Sequence, residues 1–275
     1  MKNYIKLVNF EINRFFKLYL ILIALITIIQ LIGTFIFSKQ YMNEAKKLVY
    51  EKQLFITDYI EQNGTFSFSD YLNSEWFNMP IYLCIAMLMI YVFFIWYRDW
   101  FGKNTFIYRL LMLPTERLAI YFAKLTSIMV FVLGLIALQL LLMLIEIQIV
   151  NRIIPADFRT NFSFYEIYYN ELLQWLYPYT FIRFVMNYGI GLIFVAVLFT
   201  AILFERSYRI KGIFFAISYG VLSFLVFITP VLLNDVYYRY FYPLEIFLMG
   251  LVTSTIVLTS AIWIAKYLLK HKIRV

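Results

Sequence analysis

Six stretches of this chain are each about as long as a bilayer is thick, and that leaves few folds open. A hydrocarbon core of about 30 Å takes about 20 residues of apolar helix. Leu18–Phe37, Met79–Tyr97, Leu125–Ile145, Phe184–Phe204, Ile213–Leu233 and Leu244–Ala265 all reach that length. Composition agrees: 63% of the 275 residues are hydrophobic and 15% are charged, whereas soluble domains run nearer half apolar and a quarter charged. The prediction is an all-α integral membrane protein, a single transmembrane domain over residues 1–275. The first stretch carries no charge, and no small-residue cleavage site follows it, so it reads as a retained span rather than a signal peptide.

The charges between the spans assign a side to each. With the N-terminus inside, the inner segments carry Lys2, Lys6, Arg14 and Lys17, then Arg98, Lys103, Arg109, Arg117 and Lys124. Arg206, Arg209, Lys211, Lys266, Lys270, Lys272 and Arg274 complete the set, sixteen of the 24 basic residues. The positive-inside rule therefore selects six spans with both termini cytoplasmic. This patterning also accounts for the net charge of +8 without nucleic acid.

Residues 1–17 carry an amphipathic pattern. Tyr4, Ile5, Val8, Ile12, Phe15 and Phe16 share one helical face, and Lys2, Lys6, Asn9, Asn13 and Lys17 the other. That predicts an interfacial helix in the inner headgroup layer. Of the outer segments, 38–78 predicts a short solvated helix near 40–60 and a turn at Asn63-Gly64. The other, 151–183, is dense in aromatics between Pro155 and Pro178 and fits the outer headgroup belt. Phe, Tyr, Ile, Asn and Lys are all residues of AT-rich codons, which explains much of that aromatic content.

Enzymatic chemistry finds little footing. Gly102-Lys103 lacks the upstream glycine and the following Ser/Thr of a phosphate-binding loop. The single cysteine, Cys84, excludes a disulfide framework or multi-cysteine metal site, and the lone His271 lies in a basic tail. No catalytic residue, cofactor or metal site is expected of this chain. Ionisable residues near the spans are few: Glu146, Arg183 and Glu245, all toward the outer side. They either snorkel to water or line an outward-facing cavity. Nothing resembles a mid-membrane proton relay, which argues against an ion-coupled carrier.

The loop between the second and third spans, 98–124, is the unusual one. Its run NTFIYRLLMLPTERL has room for two to three helical turns ending at Pro114, which cannot continue the ladder. Phe106, Leu110 and Leu113 form one apolar stripe and Ile107 and Leu111 another, so two surfaces must cover them. Glu116 would face the positive end of the following helix.

This run, with the N-terminal amphipathic helix and the six-span layout, resembles the bacterial ABC transporter permeases of the type 2 exporter class, where R-L-L-M-L-P-x-x-R precedes the third span. The resemblance implies a short cytoplasmic coupling helix formed by Phe106, Ile107, Tyr108, Arg109, Leu110, Leu111, Met112 and Leu113. Pro114, Glu116 and Arg117 would make the rigid corner, and Arg109 a polar contact to the ATPase. It further implies a dimer with a second permease copy or paralogue. A cytosolic ABC ATPase subunit would bind the ATP and Mg, and this chain would lie in the bacterial cytoplasmic membrane. The cargo class it suggests is hydrophobic or amphipathic: peptide, antimicrobial or lipid-like. The alternative is a non-transporting membrane sensor, immunity or scaffold protein acting through its outer loops.

Overall fold

The computed structural model describes residues 2–52, 55–101, 106–112, 116–236 and 240–273. Among them the chain is almost wholly helical. The order is α1 (Lys2–Lys52), α2 (Ile56–Asn63), α3 (Phe68–Leu72), α4 (Glu75–Trp100), α5 (Phe106–Leu111) and α6 (Arg117–Ile153), then α7 (Glu171–Leu176), α8 (Phe181–Tyr208), α9 (Ile210–Val236) and α10 (Pro243–Tyr267). Six of these, α1, α4, α6, α8, α9 and α10, are long and apolar enough to cross a membrane. They contain the six apolar stretches.

Helix α1 departs from expectation in length. In place of an interfacial helix, a span and a solvated helix, one helix runs unbroken from Lys2 to Lys52. The reason is local: this stretch holds no proline and one glycine, Gly33, so nothing interrupts its hydrogen-bond ladder. At 1.5 Å per residue it is roughly 75 Å long, more than twice the thickness of a bilayer core. Of the expected apolar face, Phe15 is buried and Tyr4, Val8 and Ile12 are half-buried, while Ile5 and Phe16 are exposed. Leu7 and Glu11 are buried instead, so the packed face is turned toward an acidic residue.

The chain divides into two compact units. One comprises Met1–Arg14, Met89–Met129 and Val185–Val275, the other Phe15–Leu88 and Val130–Phe184. In the first, Trp96, Tyr121 and Phe199 pack edge to face, Phe199 lying 5.7 Å from each of the other two ring centroids. The Tyr121 hydroxyl donates to the Ala196 carbonyl at 2.9 Å. Helices α8 and α9 join through Arg209, at φ 53°. The turn is so tight that a Cβ on Gly212 would run into the Phe204 carbonyl oxygen. Much of α9 and α10 is bare, with Phe214, Phe224 and Trp263 all more than 60% exposed. Such an apolar surface is stable only against lipid or another protein.

The second unit gathers the segments 38–78 and 151–183 around one core. Tyr59, Phe66, Phe68, Tyr71 and Leu72 from the first segment meet Phe158, Ile167 and Leu173 from the second. The aromatic segment is thus partly a packed layer, although Tyr165, Tyr169 and Trp175 stay about 70% exposed in keeping with an interfacial belt. A one-pair bridge joins the segments, with Phe66 N donating to Phe158 O at 2.9 Å and Thr160 N to Phe66 O at 3.0 Å. The Asn170 amide, 3% exposed, donates to Leu72 O at 2.6 Å and accepts from Leu173 N at 2.9 Å. It caps α7 and fixes it to α3. The expected turn is present, Gly64 lying at φ 78° after α2. Close helix approach is used as well: a Cβ on Gly33 would sit 2.9 Å from the Trp76 Cβ.

Candidate functional site

The loop singled out by its sequence does contain a short helix, α5, between the second and third candidate spans. Its side chains are placed unevenly. Ile107, Leu110 and Leu111 are buried, at 0%, 3% and 6% exposure, whereas Arg109 is exposed and Met112 is 70% exposed. Ile107 and Leu111 of one stripe and Leu110 of the other are thus covered within the protein, and among the described side chains of this segment Arg109 and Met112 are the accessible ones. Phe106 and Tyr108 lie within α5, and Leu113, Pro114 and Thr115 lie outside the described residues. Glu116 is exposed and immediately precedes α6, its carbonyl accepting from Ala119 N at 2.8 Å. Arg117 is half-buried in the first turn of α6. Its guanidinium donates to the Leu269 carbonyl at 2.7 Å and the Ile273 carbonyl at 2.9 Å, satisfying acceptors left free where the last helix ends.

Flanking this loop is an ion network that sequence patterning does not reveal. Lys124 is fully buried, and its ammonium contacts Glu11 at 2.7 Å, Asp99 at 2.5 Å and the Ile95 carbonyl at 3.0 Å. Arg14 reaches Asp99 at 2.6 Å and Arg98 reaches Glu11 at 3.0 Å. The Lys124 ammonium also lies 5.2 Å from the Trp96 ring centroid, within cation–π range. Asp99 and Arg98 close α4 and Lys124 lies near the start of α6, so both helices entering the loop are bound to one face of α1. Arg14, Arg98 and Lys124, expected from the sequence to mark the inner side, are therefore internal ion-pair partners.

The three charges expected toward the outer side are placed differently from one another. Glu146 is fully buried in α6, so it does not snorkel; neither of its oxygens accepts a hydrogen bond from any described residue. The Tyr71 hydroxyl adjoins it, yet gives its proton to the Gln30 carbonyl at 3.0 Å. Arg183 and Glu245 are exposed, and Glu245 accepts from Tyr242 N at 2.9 Å, capping α10. None of the three lines the large groove beside the end of α6. That groove, about 790 Å³, has Arg152 and Arg159 as its charges.

No group of three or more His, Cys, Asp or Glu side chains is gathered as a metal site among the described residues. The arrangement defines a multi-pass α-helical membrane protein with a clamped loop at one set of span ends and a cored body formed by two longer segments. No family model, curated protein or solved structure matches the chain.

Proposed function

We propose that this chain is the membrane subunit of an ATP-driven exporter, moving hydrophobic or amphipathic cargo across a bacterial cytoplasmic membrane with a separate ATPase. The observation that carries the reading is α5, a short helix between the second and third candidate spans. It is anchored by Ile107, Leu110 and Leu111 and presents Arg109 and Met112 outward. A lever needs a stiff attachment. The Glu11–Asp99–Lys124 network supplies one by holding the ends of α4 and α6 on either side of the loop. A push on α5 would then be transmitted to the spans rather than absorbed locally. The partner implied is a soluble ATPase with a groove for an arginine and an apolar side chain, and a second permease would cover the bare faces of α9 and α10.

The test is to purify the protein from its native membrane with whatever ATPase subunit accompanies it and measure ATP hydrolysis. Arg109→Glu with Met112→Asp, both at exposed positions, should abolish that association and leave thermal stability unchanged. A native preparation that carries no ATPase subunit, or an unaffected doubly substituted complex, would overturn the proposal. Leu110 and Leu111 are unsuitable for this test because a charge at either buried position would disturb folding first.

The alternative, a sensor, immunity or scaffold protein, is favoured by one observation. The segments 38–78 and 151–183 share a hydrophobic core, joined by Ile81, Met143 and Val150 of the long helices, as a binding module on a membrane anchor would. On that reading function survives loss of Arg109 and Met112.

A further inference from the structure

A groove of about 790 Å³ in the second unit lies along the last turns of α6, where the helix changes character. Leu140, Leu141, Leu144 and Ile145 stand 42%, 59%, 50% and 48% exposed, a continuous bare apolar stripe. Two turns later the same helix presents Gln148 and Arg152, and the chain returns to close the groove's far side with Arg159 and Asn161. No aspartate or glutamate lines it. Among the described residues neither arginine forms an ion pair, and the Arg159 Nε is buried without a hydrogen-bond partner. Arg159 is held in place by its backbone, since the Phe66 bridge fixes the residues on both sides.

Two cationic forks and neighbouring amides at one end of a groove, with an apolar stripe leading away from the other, match one kind of molecule. A guanidinium binds phosphate oxygens through parallel hydrogen bonds and is the preferred side chain for that purpose. A volume of about 790 Å³ is the size of a pocket that holds a ligand rather than a few waters. A soluble anion would leave Leu141, Leu144 and Ile145 uncovered; an acyl chain would cover them. From this geometry we infer that the groove is a binding site for an anionic phospholipid, with the phosphate between Arg152 and Arg159 and an acyl chain along the α6 stripe. The inference is independent of the ATPase reading and holds for a transporter or a sensor alike.

The experiment uses the full chain in nanodiscs of phosphatidylcholine with graded phosphatidylglycerol, reading thermal stability and retained lipid by native mass spectrometry. Phosphatidylglycerol should raise the melting temperature above the phosphatidylcholine baseline, less so at 0.5 M salt, where the Debye length falls to about 4 Å. Arg152→Gln with Arg159→Gln should weaken that binding at least tenfold without moving the phosphatidylcholine baseline, and the double lysine variant should restore part of it. Lys46→Gln with Lys47→Gln removes the same charge from an exposed face and should change nothing. Equal phosphatidylglycerol binding by the glutamine variant, or equal loss in the lysine-face control, would overturn the site. Soluble glycerol phosphate should give no shift; if it binds as well as the lipid, the acyl-chain assignment is wrong.

Discussion

Removing the Lys124 ammonium tests the buried ion network most directly. The substitution Lys124→Met keeps the length and apolar stem of the side chain and deletes only its charge. Lys124 is 0% exposed, as is Asp99, and Glu11 is 2% exposed, so little water is at hand to replace the lost contacts at 2.7 and 2.5 Å. Leaving one partner of a buried pair uncompensated costs about 3–5 kcal/mol. Here Arg14 at 2.6 Å and Arg98 at 3.0 Å still hold the two carboxylates, so the low end, about 3 kcal/mol, applies. At 2–4 °C per kcal/mol for a chain near this size, the melting temperature should fall by about 6–12 °C. Adding Glu11→Gln and Asp99→Asn should not recover that loss, because it takes from Arg14 and Arg98 the carboxylates they hold. Thermal unfolding of the single and triple variants in one detergent measures both values. A drop of less than about 2 °C for Lys124→Met, or a triple variant more stable than the single one, would refute this account of the cluster.

Two further substitutions examine the second unit. Glu146→Leu replaces a fully buried carboxylate that accepts no hydrogen bond from the described residues. Unsatisfied buried polar groups cost about 1–3 kcal/mol, so the variant should unfold at a higher temperature or denaturant concentration; destabilisation would show that the carboxylate has a role these contacts do not explain. Tyr71→Phe deletes the hydrogen bond to the Gln30 carbonyl and should cost about 1 kcal/mol at neutral pH. Burial, and then the adjoining Glu146, hold the Tyr71 phenol above its ordinary range, so the folded state keeps a proton that the unfolded chain releases near pH 10. The contribution is whole below about pH 10 and is lost as pH climbs toward the folded-state value. The stability difference between wild type and Tyr71→Phe should therefore narrow in alkaline titrations, and a constant gap would contradict it.

The spans were legible because their signal is local: twenty apolar residues specify a membrane helix whatever surrounds them. Their ends were not. Glu11, Arg14, Arg98, Asp99 and Lys124 read from sequence as ordinary terminal charges, since a helix crossing a headgroup layer and a helix buried against a neighbour both end in charged residues. What distinguishes them is pairing between positions 87 and 113 residues apart, such as Arg98 with Glu11 and Lys124 with Glu11, and no periodicity encodes that. A weak clue was present: Glu11 lies on the same helical face as Tyr4, Leu7 and Phe15, where an acid has no reason to be unless a base meets it. Asn170 is illegible in the same way, a small polar residue three of whose four contacts lie more than 90 residues away in the chain.

The segment around α5 shows how far a motif can carry and where it stops. The sequence of α5 predicted a short helix with too much apolar surface for a loop, and the structure contains one. Sequence could not apportion that surface between the protein's own chain and a partner. Ile107, Leu110 and Leu111 are buried, so on the proposed exporter reading they would anchor the helix and recognition would fall to the exposed Arg109 and Met112. That division suits a lever, because a helix held only by its partner would detach rather than transmit force. It also separates two mutant phenotypes: loss at the buried positions should reduce stability, whereas loss at the exposed pair should reduce only ATPase association.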